Sequence, residues 1–276
     1  MKEHFMTAEN RFRITVEVVP PAGSDPGPLL EQLMTLDGLG FDGFSVATNP
    51  VAKPCMCAMA LCSLIQDRTG KPAVLHVTTR DHNRLSLQGL LWGAWALGIR
   101  TVMAATGDMV AHAERRTTST VADLNVMELI TMAARSGMDT GAVFDSHPEI
   151  DGFDVAVERL KRKIDAGAGF VVTQPVYDRE SAERIARATR DMGIPVILGI
   201  LPLRTLKHAL FLHDRVAGIA VPEKVRARMA GALDTVAEGA KNAREMLAIA
   251  RECFSGACIM PPFNHYEVMG PIIGKP

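Results

Sequence analysis

Apolar residues along the chain fall into two alternating patterns. Short, nearly unbroken apolar runs occur at Arg13–Val19, Phe41–Ala47, Ala73–Thr79, Thr101–Thr106, Thr140–Phe144, Gly169–Thr173, Pro195–Leu201 and Cys258–Met260. Runs of this kind are expected of strands in a parallel sheet that is covered on both faces. Between them the apolar positions recur at helical spacing. Phe153, Val157, Leu160 and Ile164 follow one another at intervals of 4, 3 and 4, with charge on the remaining face. The same pattern predicts helices over Pro54–Asp67, Asn83–Leu97, Asp123–Ala134, Glu180–Asp191, Thr205–His213 and Asp234–Cys253. A further helix at Glu223–Ala232 opens directly after Pro222, a residue suited to a helix start.

The spacing of the strand ends predicts the architecture. Glu17, Ala47, Thr78, Asp108, Asp145, Gln174 and Leu201 are separated by 30, 31, 30, 37, 29 and 27 residues. The last step, to Met260, is 59 residues and holds the additional helix. Eight β-then-α units of this size are what a (β/α)8 barrel of roughly 250 residues requires. The predicted fold is therefore α/β, a single TIM barrel over residues 1–276 with an extra helix before the last βα unit. A doubly wound open sheet is the alternative, but no G-x-G-x-x-G follows the first strand.

Composition narrows the function classes. Of 276 residues 47% are hydrophobic, which excludes wholesale disorder. Lys and Arg number 30 against 31 Asp and Glu, so no basic excess points to nucleic acid. The longest apolar stretch, Leu90–Ile99, is half the ~20 residues of a membrane span. Five cysteines, an odd number, do not form a disulfide framework, and a reducing cytoplasm is the expected compartment. Cys55, Cys57 and Cys62 lack a fourth ligand at zinc spacing and read as packing residues, so no metal is expected. Aromatics make up only 5%, leaving few rings to stack on a ligand.

In a barrel of this kind the reactive groups lie where strands end and βα loops begin. Glu17 interrupts an apolar strand, and burial there would raise its pKa and favour an acid role. His76 and Thr78, Thr106-Gly107-Asp108, His147, and Thr173-Gln174 stand at other strand ends. Each also has a structural reading. Glu17 could be a solvated rim residue, Asp108 a helix cap, His76 and His147 satisfied core histidines, and Gln174 a partner for a loop amide. Lys161-Arg162-Lys163 is either a solvated helix face or a phosphate contact. Asp81 or Asn83 would cap the third helix.

Glu17-Val18-Val19-Pro20-Pro21, Phe44 to Pro50, His76-Val77-Thr78-Thr79-Arg80-Asp81, Ala105-Thr106-Gly107-Asp108, Lys163 to Ala168 with Thr173-Gln174, and Gly199-Ile200-Leu201-Pro202 occur in this order. Together they resemble the short bacterial form of the methylenetetrahydrofolate reductase family, over roughly Arg13 to Glu267. The resemblance implies a (β/α)8 barrel that binds FAD and uses NADH or NADPH to reduce 5,10-methylenetetrahydrofolate to 5-methyltetrahydrofolate. It implies Glu17 as general acid and Asp108 between flavin and pterin. Gln174, Thr48 and Leu206 would contact the substrate, Gln174 alternately with the nicotinamide donor. Ala47, His76, Thr78, Ala105, Thr106, Gly107, Asp108, His147, Arg162 and Lys163 match flavin-contacting positions.

The sequence departs from the family pattern at several places. Ala47 stands where a threonine faces the flavin, Leu206 replaces a phenylalanine, Ala156 and Arg159 replace polar residues, and Thr120 replaces a tyrosine. The expected partners are a folate and further copies of the same chain. Two alternatives stay open at this point: electrons from a partner protein, and a non-redox folate-binding barrel.

Overall fold

Among the residues described by the computed structural model (5–7, 11–145, 152–216 and 218–274), eight parallel strands pair in sequence order and close on themselves. They are β1 Arg13–Val18, β2 Gly43–Val46, β3 Ala73–Thr78, β4 Thr101–Ala105, β5 Asp139–Phe144, β6 Phe170–Pro175, β7 Val196–Ile200 and β8 Gly256–Ile259. The helices are α1 Gly27–Met34, α2 Ala58–Thr69, α3 Arg84–Ala96, α4 Val126–Arg135, α5 Phe153–Asp165, α6 Arg179–Thr189, α7 Leu206–Arg215, α8 Glu223–Gly231, α9 Thr235–Cys253 and α10 Met269–Ile273. This is the expected (β/α)8 barrel, and α8 is the expected extra helix ahead of the last strand.

Strand alternation divides the apolar residues into two bodies. Val16, Phe44, Leu75, Val102, Phe144 and Leu198 point outward and pack with helical Leu61, Leu87 and Leu129. Val74, Met103, Phe170, Val172, Ile197 and Cys258 form a smaller cluster, plugged at the strand starts by Phe5 and Met6. Phe170 lies across the barrel over Gly141, where a Cβ would sit 2.3 Å from its ring. Glycine is therefore required at 141 by the ring, not by backbone conformation. Asp139 closes the same end, accepting from the Met6 N–H at 2.8 Å and the Thr7 hydroxyl at 3.1 Å.

Several element ends differ from the sequence expectation for local reasons. Helix α2 begins at Ala58, four residues later than expected, with its N-cap Cys57 in a non-helical conformation. Cys55 and Cys57 thus precede the helix. Asn125, not Asp123, starts α4, through a capping box in which its side chain accepts from Glu128 N–H and Glu128 answers on the Asn125 N–H. Asn83, not Asp81, caps α3 by accepting from the Ser86 N–H. Helix α1, absent from the sequence expectation, is eight residues long and follows a Gly- and Pro-rich stretch.

Candidate active site

Glu17 sits on β1 in register with Ser45 of β2, its side chain directed to the barrel axis near the carboxyl ends of the strands. Burial, reinforced by the negative charge of Asp108, pushes its carboxyl pKa up to about 7. No hydrogen bond from the described residues holds that carboxyl, and the side chain keeps partial access to the strand-end opening. An acid that is half protonated near neutral pH and otherwise unengaged is free to give its proton to a ligand.

The floor beneath it is polar and neutral. Ser45 Oγ lies 2.7 Å from His76 Nε2, and burial lowers the His76 pKa to about 4. The imidazole is therefore uncharged at neutral pH. Cys258 on β8 bonds Thr15 and Ser45, while burial and the nearby Glu17 charge push its thiol up to about 12. Ser45 and Cys258 were not legible as site residues, because only the register between strands brings them under Glu17, whereas Thr15, two residues earlier on β1, shares its face by strand alternation.

The loops after β2, β3 and β4 are tied together by Arg80, which is 4% exposed. Its guanidinium bonds Asp81 through Nε at 2.6 Å and Nη2 at 2.8 Å, and reaches the carbonyls of Asp108 at 3.0 Å and Asn49 at 3.1 Å. Burial works against the Asp81 carboxylate. Bonds from Arg80, Asn49 and Thr78 nevertheless hold it below the usual range. Asp108 Oδ2 accepts from the Val51 N–H at 2.5 Å, so it braces the neighbouring loop and caps no helix. That loop is strained, with Asn49, Val51 and Ala52 all at positive φ. Gly107 takes φ +88°, and a Cβ there would press on the Cβ atoms of Arg80 and Thr78 at 3.1 Å.

Other residues expected at the site take varied positions. Thr48 donates to the His76 carbonyl at 2.5 Å, and Thr78 donates to Asp81 at 3.2 Å, so both hydroxyls are engaged within the protein. Ala47 is buried and Ala105 half-buried. Gln174 lies on β6, where pairing with β7 slips between Val172 and Pro175. Thr173 Oγ1 fills the slip, accepting from the Gly199 N–H at 2.9 Å and donating to the Gln174 carbonyl at 2.8 Å. Such a bulge re-aims the side chain beside it. Leu206 opens α7 and packs on a satellite cluster around Leu203 and Tyr177.

A cavity of about 1250 Å³ opens from Thr79, Thr106 and Ala122 outward between α3, α4 and α5. Arg84, Arg135, Arg159 and Arg162 line it, together with Gln88 and Trp92. A second space of about 450 Å³ shares Thr79, Thr106 and Ala122 and adds Gly107, Asp108 and Thr120. Cations along the larger cavity, and the smaller space that meets it at Thr79, Thr106 and Ala122, fit the diphosphate and ring of a dinucleotide. Lys163 does not join them. Its ammonium donates to the Val143 carbonyl at 2.6 Å, and burial with the charge of Arg159 lowers its pKa to about 8. Ala156 is buried, and His147 lies outside the described residues.

The family model described as methylenetetrahydrofolate reductase matches residues 2–253. The chain belongs to the methylenetetrahydrofolate reductase family. It is 31% identical over 195 residues to 5,10-methylenetetrahydrofolate reductase of Escherichia coli, an alignment covering 67% of this chain and 63% of the relative. It is 29% identical over 148 residues to a probable methylenetetrahydrofolate reductase (NADPH) of Caenorhabditis elegans, covering 52% of this chain. The alignments thus span 63% of the bacterial relative's length and 22% of the nematode one's.

Among solved structures, an uncharacterized protein from Clostridium thermocellum that binds two copies of 5-methyl-5,6,7,8-tetrahydrofolic acid superimposes with TM-score 0.65 at 13% identity. That likeness covers 95% of this chain and 94% of the other, and shows a shared fold. Membership of the methylenetetrahydrofolate reductase family agrees with the order of strand-end motifs from Glu17 to Pro202. Among the described residues no helix is long and apolar enough to cross a membrane.

Proposed function

We propose that this chain reduces 5,10-methylenetetrahydrofolate to 5-methyltetrahydrofolate, with FAD in the arginine-lined cavity and NADH or NADPH as the source of electrons. One observation carries the reading: an unengaged carboxyl, Glu17, tuned by burial and Asp108 to about 7 at the strand-end opening of a barrel of this family. The reaction consumes NAD(P)H and one proton and yields the methyl product and NAD(P)+. A bound flavin supplies the two-electron transfer that side chains cannot perform.

The chain's own residues do the rest. Glu17, protonated, gives its proton to the folate nitrogen that leaves the bridging carbon as the five-membered ring opens. Asp108 keeps Glu17 from ionising early and offers its remaining acceptor capacity to a pterin amine. Gln174, turned by its bulge, bonds the substrate. Arg84, Arg135, Arg159 and Arg162 would hold the cofactor diphosphate, and the adjoining space beside Gly107 and Asp108 would take its ring.

Purified protein incubated with FAD under anaerobic conditions is expected to bleach on addition of NADH or NADPH and to regain its absorbance on addition of 5,10-methylenetetrahydrofolate. Flavin that stays oxidised with both nucleotides but is reduced by 5-methyltetrahydrofolate would assign the electrons to another donor. Folate that binds without altering any flavin spectrum would overturn the reading.

A further inference from the structure

A third space lies among the outer helices. It measures about 250 Å³ and is bounded by the first two turns of α6, the last turn of α7 and the first turn of α8. None of its residues borders the arginine-lined cavity or the space beside Asp108. Sites for drug-sized molecules span about 300–1,000 Å³, so this one suits something smaller. Ala220, Val221 and Pro222 give it an apolar patch, and the rest of its wall is polar.

Two polar atoms of that wall have no partner. Arg226 Nε and His213 Nδ1 are shut off from water, and neither meets a hydrogen-bonding group among the described residues. Native structures pair nearly all such atoms, because a buried polar group left unpaired is destabilising. An arginine nitrogen can only donate, so Arg226 calls for an acceptor. The charges on the wall are not matched to one another either. Glu180 and Glu223 border the same space as Arg226, yet among the described residues no ion pair joins them to it. Arg184 lies on the wall too, but its guanidinium rests on the Phe153 ring of α5, 4.4 Å from the centroid.

These groups complement a molecule that carries both signs of charge. A plain oxyanion would satisfy Arg226 but bring its charge up to Glu180 and Glu223. A plain amine would meet the two carboxylates and leave Arg226 Nε unpaired. We propose that this cavity binds a small aliphatic α-amino acid as its zwitterion. The carboxylate accepts from Arg226, His213 and the Ser181 hydroxyl, the ammonium donates to Glu180 and Glu223, and the side chain lies on Ala220, Val221 and Pro222. Charge-assisted hydrogen bonds at both ends set the affinity, and the size of the space sets the length of side chain admitted. The site shares no residue with the folate reading and does not depend on it.

The test is calorimetric titration of the full-length protein with glycine, L-alanine, L-valine and L-leucine, beside isovalerate, isobutylamine and inorganic phosphate. Isovalerate is L-valine without its amine, and isobutylamine is L-valine without its carboxylate. L-valine is expected to bind, and each analogue to bind at least about tenfold more weakly, the size of a lost hydrogen bond to a charged group. R226Q should weaken L-valine binding by at least the same factor. The double variant E180Q/E223Q should erase the preference for L-valine over isovalerate. Failure of all four amino acids to bind, isovalerate or phosphate binding as tightly as L-valine, or full L-valine affinity in R226Q would each overturn the proposal. Thermal melts without ligand check that the variants are folded. The comparison of L-valine with its two analogues on wild-type protein needs no substitution, so it decides the matter even where a variant fails to fold.

Discussion

At the scale of single residues, Glu17 and His76 have opposite pH linkages. Glu17 binds its proton more tightly in the folded state, so between about 4.5 and 7 the native protein holds more protons than the unfolded chain. Its contribution to stability is complete at low pH and is lost as pH rises through 7. His76 is held neutral by burial, so its contribution is complete above 6.5 and is lost as pH falls through about 4. The two slopes oppose each other between about 4.5 and 6.5, and E17Q removes one of them. Urea unfolding at pH 5 and 6.5 should therefore show E17Q gaining stability with rising pH more steeply than wild type, and parallel pH dependence would contradict the assigned burial of Glu17. The same substitution removes the proposed proton donor without removing volume. It should lower kcat by about 100-fold or more while FAD affinity, read by fluorescence quenching, stays within about twofold of wild type, the scatter expected of a change outside the cofactor's phosphate contacts.

At the scale of elements, what the sequence disclosed and what it withheld have a common physical cause. Strands β1 to β8 were legible because each is an apolar run, and α5 because its stripe has period 3.6. Glu17, His76, Asp108 and Gln174 were legible because a polar residue ending an apolar strand is conspicuous without a partner. The arrangement around them was hidden, since it depends on contacts between distant positions: Ser45 with His76, Arg80 with Asn49 and Asp108, and Asn264 with Val19, 245 residues away. Helix α1 was hidden for a different reason, its eight residues following a Gly- and Pro-rich stretch that reads as loop. The bulge at Gln174 belongs to this class of hidden features and is testable. A Cβ at Gly199 would stand 2.4 Å from the Thr173 carbonyl oxygen and 3.1 Å from the Gln174 carbonyl. G199A should cost about 1–3 kcal/mol, as overpacking does, and raise KM for the folate several-fold as Gln174 is displaced. Denaturant midpoints and steady-state kinetics on one preparation would measure both, and unaltered KM would detach Gln174 from substrate binding.

For the whole molecule, the barrel's two ends carry different burdens. The carboxyl ends of the strands hold Glu17, the strained loops and the arginine-lined cavity, all features that cost stability. The opposite end holds the inward Phe170 ring over Gly141 and the Asp139 carboxylate, which receives Met6, Thr7 and, at 3.5 Å, Thr101. Asp139 is 3% exposed, so its bonds are made out of water. Replacing it with alanine removes charge-assisted acceptors and leaves the buried Met6 N–H without this partner, a loss of about 2–4 kcal/mol. Asn retains an acceptor and should lose about half as much, since hydrogen bonds to a charged group are roughly twice as strong as neutral ones. In a barrel, reaction chemistry belongs to the strand ends and this face to stability. D139A should therefore unfold at markedly lower urea concentration yet, at temperatures where it remains folded, bind flavin and turn over with wild-type kcat and KM. G199A and E17Q should alter kinetics at full folding. A fall in D139A kcat under folded conditions would mean that strain at the strand ends is balanced across the whole barrel rather than locally, by clamps such as Arg80 and Asn264.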